Sequence, residues 1–301
     1  MIKRALNTAY EFFPFSFKTY LRDLYFYVRS SFNGAKNIKS IQFIKEHSEV
    51  CVLGNGPSLK KDKAVIKKIM HKQDFVCVNN FCDDELYTTL KPKLYVFLDG
   101  YFFSEKAHPD WVTRRNKTFG IIDKNTTWPM KIIVPQSAKT SILSDAIKNH
   151  NIEIIKVNTQ SLYTKRYNRL IGRLFDTGLY GPPQINVLIY GVYLSVLANY
   201  KKVHIFGADL SFHNDINVDQ STNDLYMVFR HFNEKDKIEP LRKNPAKIEK
   251  WTMGELLDLS ANTFYAHETL YSYAASKGVK IYNCSDFSLI DAYPRKTFTC
   301  H

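Results

Sequence analysis

The sequence predicts an α/β fold: a Rossmann-like, mostly parallel sheet with helices on both faces, a lid subdomain rich in aromatic and basic residues, and a basic N-terminal arm. Three observations carry this. Short β-branched runs alternate with helical stretches, as strands and crossover helices do in a parallel sheet. The first such run ends in a turn with two glycines, Gly54-Asn-Gly-Pro-Ser58. Several later runs also end in polar residues, and the carboxyl ends of parallel strands are where open sheets bind ligands.

Residues 1 to 46 form the arm, rich in rings and cations, among them Phe12, Phe13, Tyr20, Tyr25, Phe26 and Tyr27 beside Lys3, Arg4, Lys18, Arg22 and Arg29. Rings beside cations suit an anionic lipid headgroup zone, while packing against the domain is the competing role. The catalytic domain then occupies residues 47 to 301. Its expected elements are a strand Val50–Leu53, a helix over Lys63–Met70, and strands Phe75–Val78, Leu94–Leu98, Thr118–Ile122, Lys131–Val134 and Ile152–Val157. A helix over Ile185–Ala198 feeds the strand Val203–Phe206, and a helix over Glu268–Ser276 with the strand Val279–Tyr282 closes the series. Residues 212 to 266 interrupt it with polar, charged and aromatic sequence, including Tyr226, Phe229, Arg230, Phe232 and Trp251. A long excursion inside a domain is usually functional, so this one is read as a lid over the carboxyl edge of the sheet.

The composition narrows the function. With 42 Lys and Arg against 29 Asp and Glu, the formal charge is +13, which attracts polyanions: nucleic acid, anionic membrane or a phosphorylated substrate. The cations are scattered and no nucleic-acid module appears, which argues against nucleic acid. Five cysteines without a CxxC pair read as reduced thiols in a cytoplasmic protein. No segment approaches the ~20 apolar residues of a membrane span, and no signal peptide is evident.

The candidate site follows from the strand ends. Gly54 and Gly56 lack the Cβ that would block a positive φ or the approach of phosphate or ribose, and Ser58 is placed to cap the next helix. Asn55, Asn79, Asp99 and Asn283 end four strands, and their convergence would make an amide-rich site with little fixed positive charge, suited to reading a base and ribose hydroxyls. His267 opens the last helix and is a candidate general base, a structural hydrogen bond being the competing role. No Lys follows the glycine loop at P-loop spacing, and neither an Asp-x-Asp nor a zinc-like His/Cys cluster is present, which favours metal-free chemistry.

Taken in order, the Gly54-Asn-Gly-Pro-Ser-Leu59 turn, Asn79-Asn80-Phe81, Val96-Phe-Leu-Asp-Gly-Tyr-Phe-Phe103, Lys201-Lys-Val-His-Ile-Phe-Gly-Ala-Asp209, the aromatic lid and His267 resemble the bacterial sialyltransferases of glycosyltransferase family 42 over residues 50 to 290. The resemblance implies a CMP-sugar donor with no metal or other cofactor, Asn55, Gly56, Ser58, Asn79 and Asp99 at the nucleotide, and a lid tyrosine, Tyr226 or Tyr265, on the leaving phosphate. It further implies His267 as base and inversion at the anomeric carbon. Where the family opens its long helix with a Ser/Thr-Gly turn, this chain has Gly181-Pro-Pro-Gln-Ile-Asn186, so Gln184 and Asn186 are the candidates there. The basic arm also lies at the opposite end from the family's membrane-associating tail. Sialic acid, a related nonulosonate or Kdo fits this framework, with a glycan or glycolipid of lipopolysaccharide or capsule as acceptor. The expected location is the cytoplasmic face of the inner membrane, held through the arm, and the sequence allows a homo-oligomer. Two rivals stand beside this: a magnesium-dependent pyrophosphokinase of the pterin-diphosphate type, which the carboxylate-poor loop disfavours, and a non-catalytic basic protein binding nucleic acid or membrane.

Overall fold

The computed structural model describes residues 15–229, 237–243, 246 and 248–298; Lys3, Arg4, Phe12, Phe13, Arg230, Phe232 and Cys300 lie outside the described residues. After helix α1 (Phe15–Phe32), the chain runs through β1 (Glu49–Leu53), α2 (Leu59–Ile69), β2 (Asp74–Val78), α3 (Leu86–Leu90), β3 (Leu94–Val96), α4 (Pro109–Asn125), β4 (Met130–Pro135), α5 (Thr140–Ala146) and β5 (Ile152–Val157). It continues through β6 (Gln160–Ser161), α6 (Arg169–Thr177), β7 (Tyr180–Gly181), α7 (Val187–Leu197), β8 (Lys202–Phe206), β9 (Ile216–Val218), β10 (Leu225–Phe229), β11 (Lys237–Pro240), α8 (Met253–Ser276) and β12 (Lys280–Asn283).

Seven strands form one sheet in the order β12-β8-β1-β2-β3-β4-β5, every pairing parallel. This is the fold class the sequence predicts. The chain builds outward from β1 to β5, then crosses back to lay β8 on the other side of β1. That reversal opens a crevice above β1 and β8, the topological switch point of an open parallel sheet.

Alternate residues of each strand divide between two cores because strand side chains point to opposite faces. Val50, Val52, Val76, Val78, Val203 and Ile205 pack with α7 and α8, together with Ile38 and Ile41 of the segment after α1. Cys51, Leu53, Phe75, Cys77, Tyr95 and Phe206 pack on the other face with Leu59 and Ile66 of α2 and Phe119 and Ile122 of α4. With both faces covered, the central strands β1, β2 and β3 read as nearly continuous apolar runs.

Two expectations are corrected. Thr118–Ile122 is not a strand but part of α4, whose amino end has His108 accepting from Asp110 N and Pro109 in the first turn. Arg115, Thr118, Phe119 and Ile122 are its buried residues, a spacing of three and four that belongs to one helix face and not to a strand. The lid is also shorter than 212 to 266. Thr252 and Glu255 form a reciprocal capping box, Glu255 N donating to Thr252 Oγ1 (3.3 Å) and Thr252 N to Glu255 Oε2 (2.9 Å), so α8 starts at Met253. What remains of the lid carries the antiparallel sheet β9-β10-β11 on a small cluster of Leu225, Met227, Leu241 and Leu256.

Among the described residues, no helix is long and apolar enough to cross a membrane.

Candidate active site

A cleft of about 870 Å³ opens above the switch point, walled by the ends of β1, β2, β3 and β8, the start of α7, one side of α4 and the lid strands. It collects Asn55, Gly56, Asn79, Asp99 and Asn186 of the residues singled out in the sequence, and leaves Ser58, Gln184, Tyr226, Tyr265 and His267 out of its lining. Asn283 is buried too, its amide donating to Ser288 Oγ and Ile290 O in the segment after β12.

The glycine loop is built differently from the sequence expectation. Neither Gly54 nor Gly56 has a positive φ; that conformation falls on Gly207 (φ 63°) in the facing loop. Gly54 N donates to Phe206 O (2.8 Å) and Gly56 N to Gly207 O (2.9 Å), zipping the loops after β1 and β8 together. A Cβ on Gly54 would strike the Gly207 carbonyl, and one on Gly56 would overlap the Asp209 carboxylate. The glycines therefore serve loop-on-loop packing. Ser58 makes no side-chain cap to α2; its hydroxyl donates to Asp209 Oδ2 (2.7 Å) and its N–H to Asp209 Oδ1 (3.1 Å). A buried carboxylate thus holds the amino end of α2, where helix geometry otherwise favours a phosphate. Asp62, beneath it, accepts from Gly207 N and Asp286 N, and burial raises its carboxyl to about 6.

The floor of the cleft is made of amides and one carboxylate. Asn55 Nδ2 donates to Val78 O (3.2 Å), tying the loop after β1 to the end of β2. Asn79 sits in the left-handed region (φ 47°), which asparagine tolerates, and its Nδ2 donates to Asp99 Oδ2 (2.7 Å). Each amide nitrogen thus gives one N–H to a protein acceptor, while Asn55 Oδ1 and Asn79 Oδ1, both shielded from solvent, have no partner among the described residues. Asp99 is exposed to the cleft, and the walls crowding it shift its carboxyl up to about 6 against the hydrogen bond from Asn79, which lowers it. Asn186 caps α7, accepting from Leu188 N (2.8 Å), and aims that helix's amino end at the cleft.

The remaining wall is α4, which covers residues 118–122 where the sequence predicts a strand. Asn80, with its amide nitrogen donating to Thr118 Oγ1 (2.8 Å), accepts from Arg114 Nε (2.6 Å) and from the Tyr101 hydroxyl (3.1 Å). Tyr101 stacks against Trp111 of α4 at 5.2 Å, and Arg115 locks the loop between β3 and α4 by donating to Tyr101 O (3.0 Å) and Ser104 O (2.6 Å). His108-Pro109-Asp110 was the sequence signal for this helix start.

The lining is also richer in acid than the sequence expectation: Asp83, Asp99, Asp110, Asp209, Asp215 and Glu239 against Arg114, Lys117 and Lys243. Asp99 and Asp209 end strand motifs visible in the sequence, while Asp83, Asp110, Asp215 and Glu239 come from separate elements that no local motif announced. Among the described residues, the metal-like cluster of His and carboxylates is Glu46, His47 and Asp74, at the opposite end of the strands, where Asp74 accepts from two backbone N–H groups and the Tyr200 hydroxyl.

His267 is corrected most sharply. It lies within α8, wholly buried, with Nδ1 bonded to the Tyr293 hydroxyl (2.9 Å) and Nε2 unpartnered. Burial pushes its pKa down to about 3, so the ring is a neutral core group in this conformation. Tyr265 lies outside the cleft with Lys165 Nζ over its ring (5.5 Å), and Tyr226 is on β10 while its neighbours Met227 and Val228 reach the lining. Gln184 donates to Thr159 O (3.2 Å), fixing the loop before α7.

No protein-family model and no curated protein matches the chain. Among solved structures it is similar to the Maf glycosyltransferase from Magnetospirillum magneticum AMB-1, with a TM-score of 0.45 at 12% identity over 85% of this chain. The match spans 35% of that protein's length. It is a resemblance between folds and carries no activity over.

Proposed function

We propose that the chain is a metal-independent, inverting glycosyltransferase that uses a CMP-activated sugar, sialic acid or a related nonulosonate or Kdo, and transfers it to a glycan or glycolipid. The observation that supports this reading is the meeting of Asn55, Asn79, Asp99 and Asn186 in one cleft at the switch point, with the exposed Asp99 carboxylate among them. Acceptor oxygens suit the amino group of cytosine and the ribose hydroxyls. Because Asp209 holds the amino end of α2, the donor phosphate is assigned to the opposite side, towards Arg114, Lys243 and the lid.

In the reaction, the bond from the anomeric carbon to the phosphate oxygen breaks and CMP leaves with the electron pair. The acceptor hydroxyl attacks the opposite face, and its proton passes to a base of the cleft. With His267 in the core, Asp99 takes that role, since a carboxyl held near 6 accepts a proton at neutral pH and sits in the cleft. A second reading, the magnesium-dependent pyrophosphokinase, gains from the carboxylates of the lining, because magnesium is commonly held by one or two carboxylates and the substrate's own phosphates.

Thermal stabilisation by CMP, CDP, UDP, GDP, ADP and ATP, with magnesium or with EDTA, separates the two. A shift with CMP that EDTA leaves unchanged supports the transferase. A shift that requires ATP and magnesium replaces it with the pyrophosphokinase.

A further inference from the structure

Helix α1 packs on the domain by a polar face and leaves its apolar residues in solvent. Its inner side carries Asp23, which takes the Tyr180 hydroxyl, together with Tyr27, whose hydroxyl meets the Asn37 amide, and buried Ser30. Tyr20, Leu24, Tyr25, Phe26, Val28 and Phe32 are all exposed, Phe32 at 88%. Leu21, Tyr25, Val28 and Phe32 follow one another at spacings of four and three, which is one stripe along a helix.

A second exposed element lies near α1. Asn37, which follows α1 and meets its Tyr27, also donates to Thr177 O, linking α1 through that residue to the carboxyl end of α6. The segment at and before α6 exposes Leu170 (65%) and Tyr163, with Arg166, Arg169 and Arg173 all in solvent. None of these three arginines pairs with a carboxylate among the described residues. The acid of α1 turns inward: Asp23 is 13% exposed and is bonded to Arg22.

We propose that this face, formed by α1 and the start of α6, docks on a bilayer surface containing anionic lipid, with the apolar stripe in the headgroup boundary and the arginines on lipid phosphates. Charge distinguishes this occupant from a second copy of the chain. A two-fold contact would set Arg29, Arg169 and Arg173 near their own copies while the acid of α6, Asp176, is already paired with Lys277, whereas anionic headgroups supply the missing charge. Area points the same way. An 18-residue helix is about 27 Å long, so its stripe offers about 300 Å², well short of the roughly 800 Å² per partner of a stable protein interface. This inference does not depend on the reaction assigned to the cleft.

The test is cosedimentation of the full chain with vesicles of phosphatidylcholine alone and with about 30 mol% phosphatidylglycerol added. The expected result is sedimentation with the anionic vesicles, weakened by salt. Two variants, Tyr25→Ser/Val28→Ser/Phe32→Ser and Arg166→Gln/Arg169→Gln/Arg173→Gln, should each lower the partition coefficient about 10-fold or more while the thermal midpoint stays unchanged. Equal binding to neutral and anionic vesicles, or no binding to either, overturns the proposal. So does a concentration-dependent dimer that the serine variant abolishes, which would give the face to a second copy. Retention of duplex DNA without vesicle binding would give the arginines to nucleic acid instead.

Discussion

Asp209 holds the amino end of α2 through Ser58, accepting its hydroxyl at 2.7 Å and its backbone N–H at 3.1 Å. A side chain from the end of one strand thereby occupies the anion position beside the next strand's glycine loop, and the two loops flanking the switch point become one rigid unit. The substrate end of the cleft is left to Asn55, Asn79 and Asp99.

Gly56→Ala should therefore act as an overpacking mutation. Its new methyl would meet the Asp209 carboxylate, which is fixed on two donors of Ser58, so a loss of about 1–3 kcal/mol is expected in denaturant unfolding. An unchanged midpoint would mean that the loop after β8 yields freely.

Asn55→Ala and Asn79→Ala each remove a cleft-lining amide and a link between strand ends. Titration calorimetry should show CMP binding weakened about 5- to 10-fold by each, the worth of one hydrogen bond. Unaltered affinity in both variants would remove the nucleotide from this floor.

Asp99 carries a pH signature. If it is the base, kcat/KM falls as pH drops through about 6 and the carboxyl protonates, and Asp99→Asn lowers turnover by about 10²-fold and abolishes that limb. The stability sign is opposite. The native carboxyl binds its proton more tightly than the unfolded one, whose pKa is about 3.9, so stability declines as pH rises from there to about 6 and is flat above. Thermal midpoints against pH should show that decline in the parent protein and not in the asparagine variant.

His267 has the reverse sign with respect to acid. Its ring, held near 3 in the fold against about 6.5 when unfolded, stays neutral while the unfolded chain takes up a proton. Stability is lost as pH falls from 6.5 towards 3, by up to about 1.4 kcal/mol per pH unit. His267→Gln, which offers Tyr293 another acceptor, should flatten that slope and keep turnover within a few-fold. Collapse of turnover at an unchanged thermal midpoint would restore the role of base to His267.

The central strands were legible because each needs apolar residues on both faces, so Val50–Leu53 is visible in a window of a few residues, and the edge strand Ile152–Val157 shows in its β-branched residues. Asn55, Asn79 and Asp99 were legible for a related reason: polar residues following such runs fall at the carboxyl edge of a parallel sheet, whereas Asn186 stood out only as the residue opening the long helix. The start of α8 was also written locally, in Thr252 and Glu255, although the aromatic character of the segment obscured it. Position in three dimensions was not. Whether His267 faced the cleft or the core depended on which side of α8 the sheet covered, and the Tyr293 that receives it lies 26 residues away. Gly56 belongs with Asp209 rather than with a phosphate because β8 returns beside β1, a long-range pairing that no local pattern encodes. The chain's own residues determined its strands and their polar ends; the packing of distant elements decided which of those ends share a cleft and which side of each helix meets water.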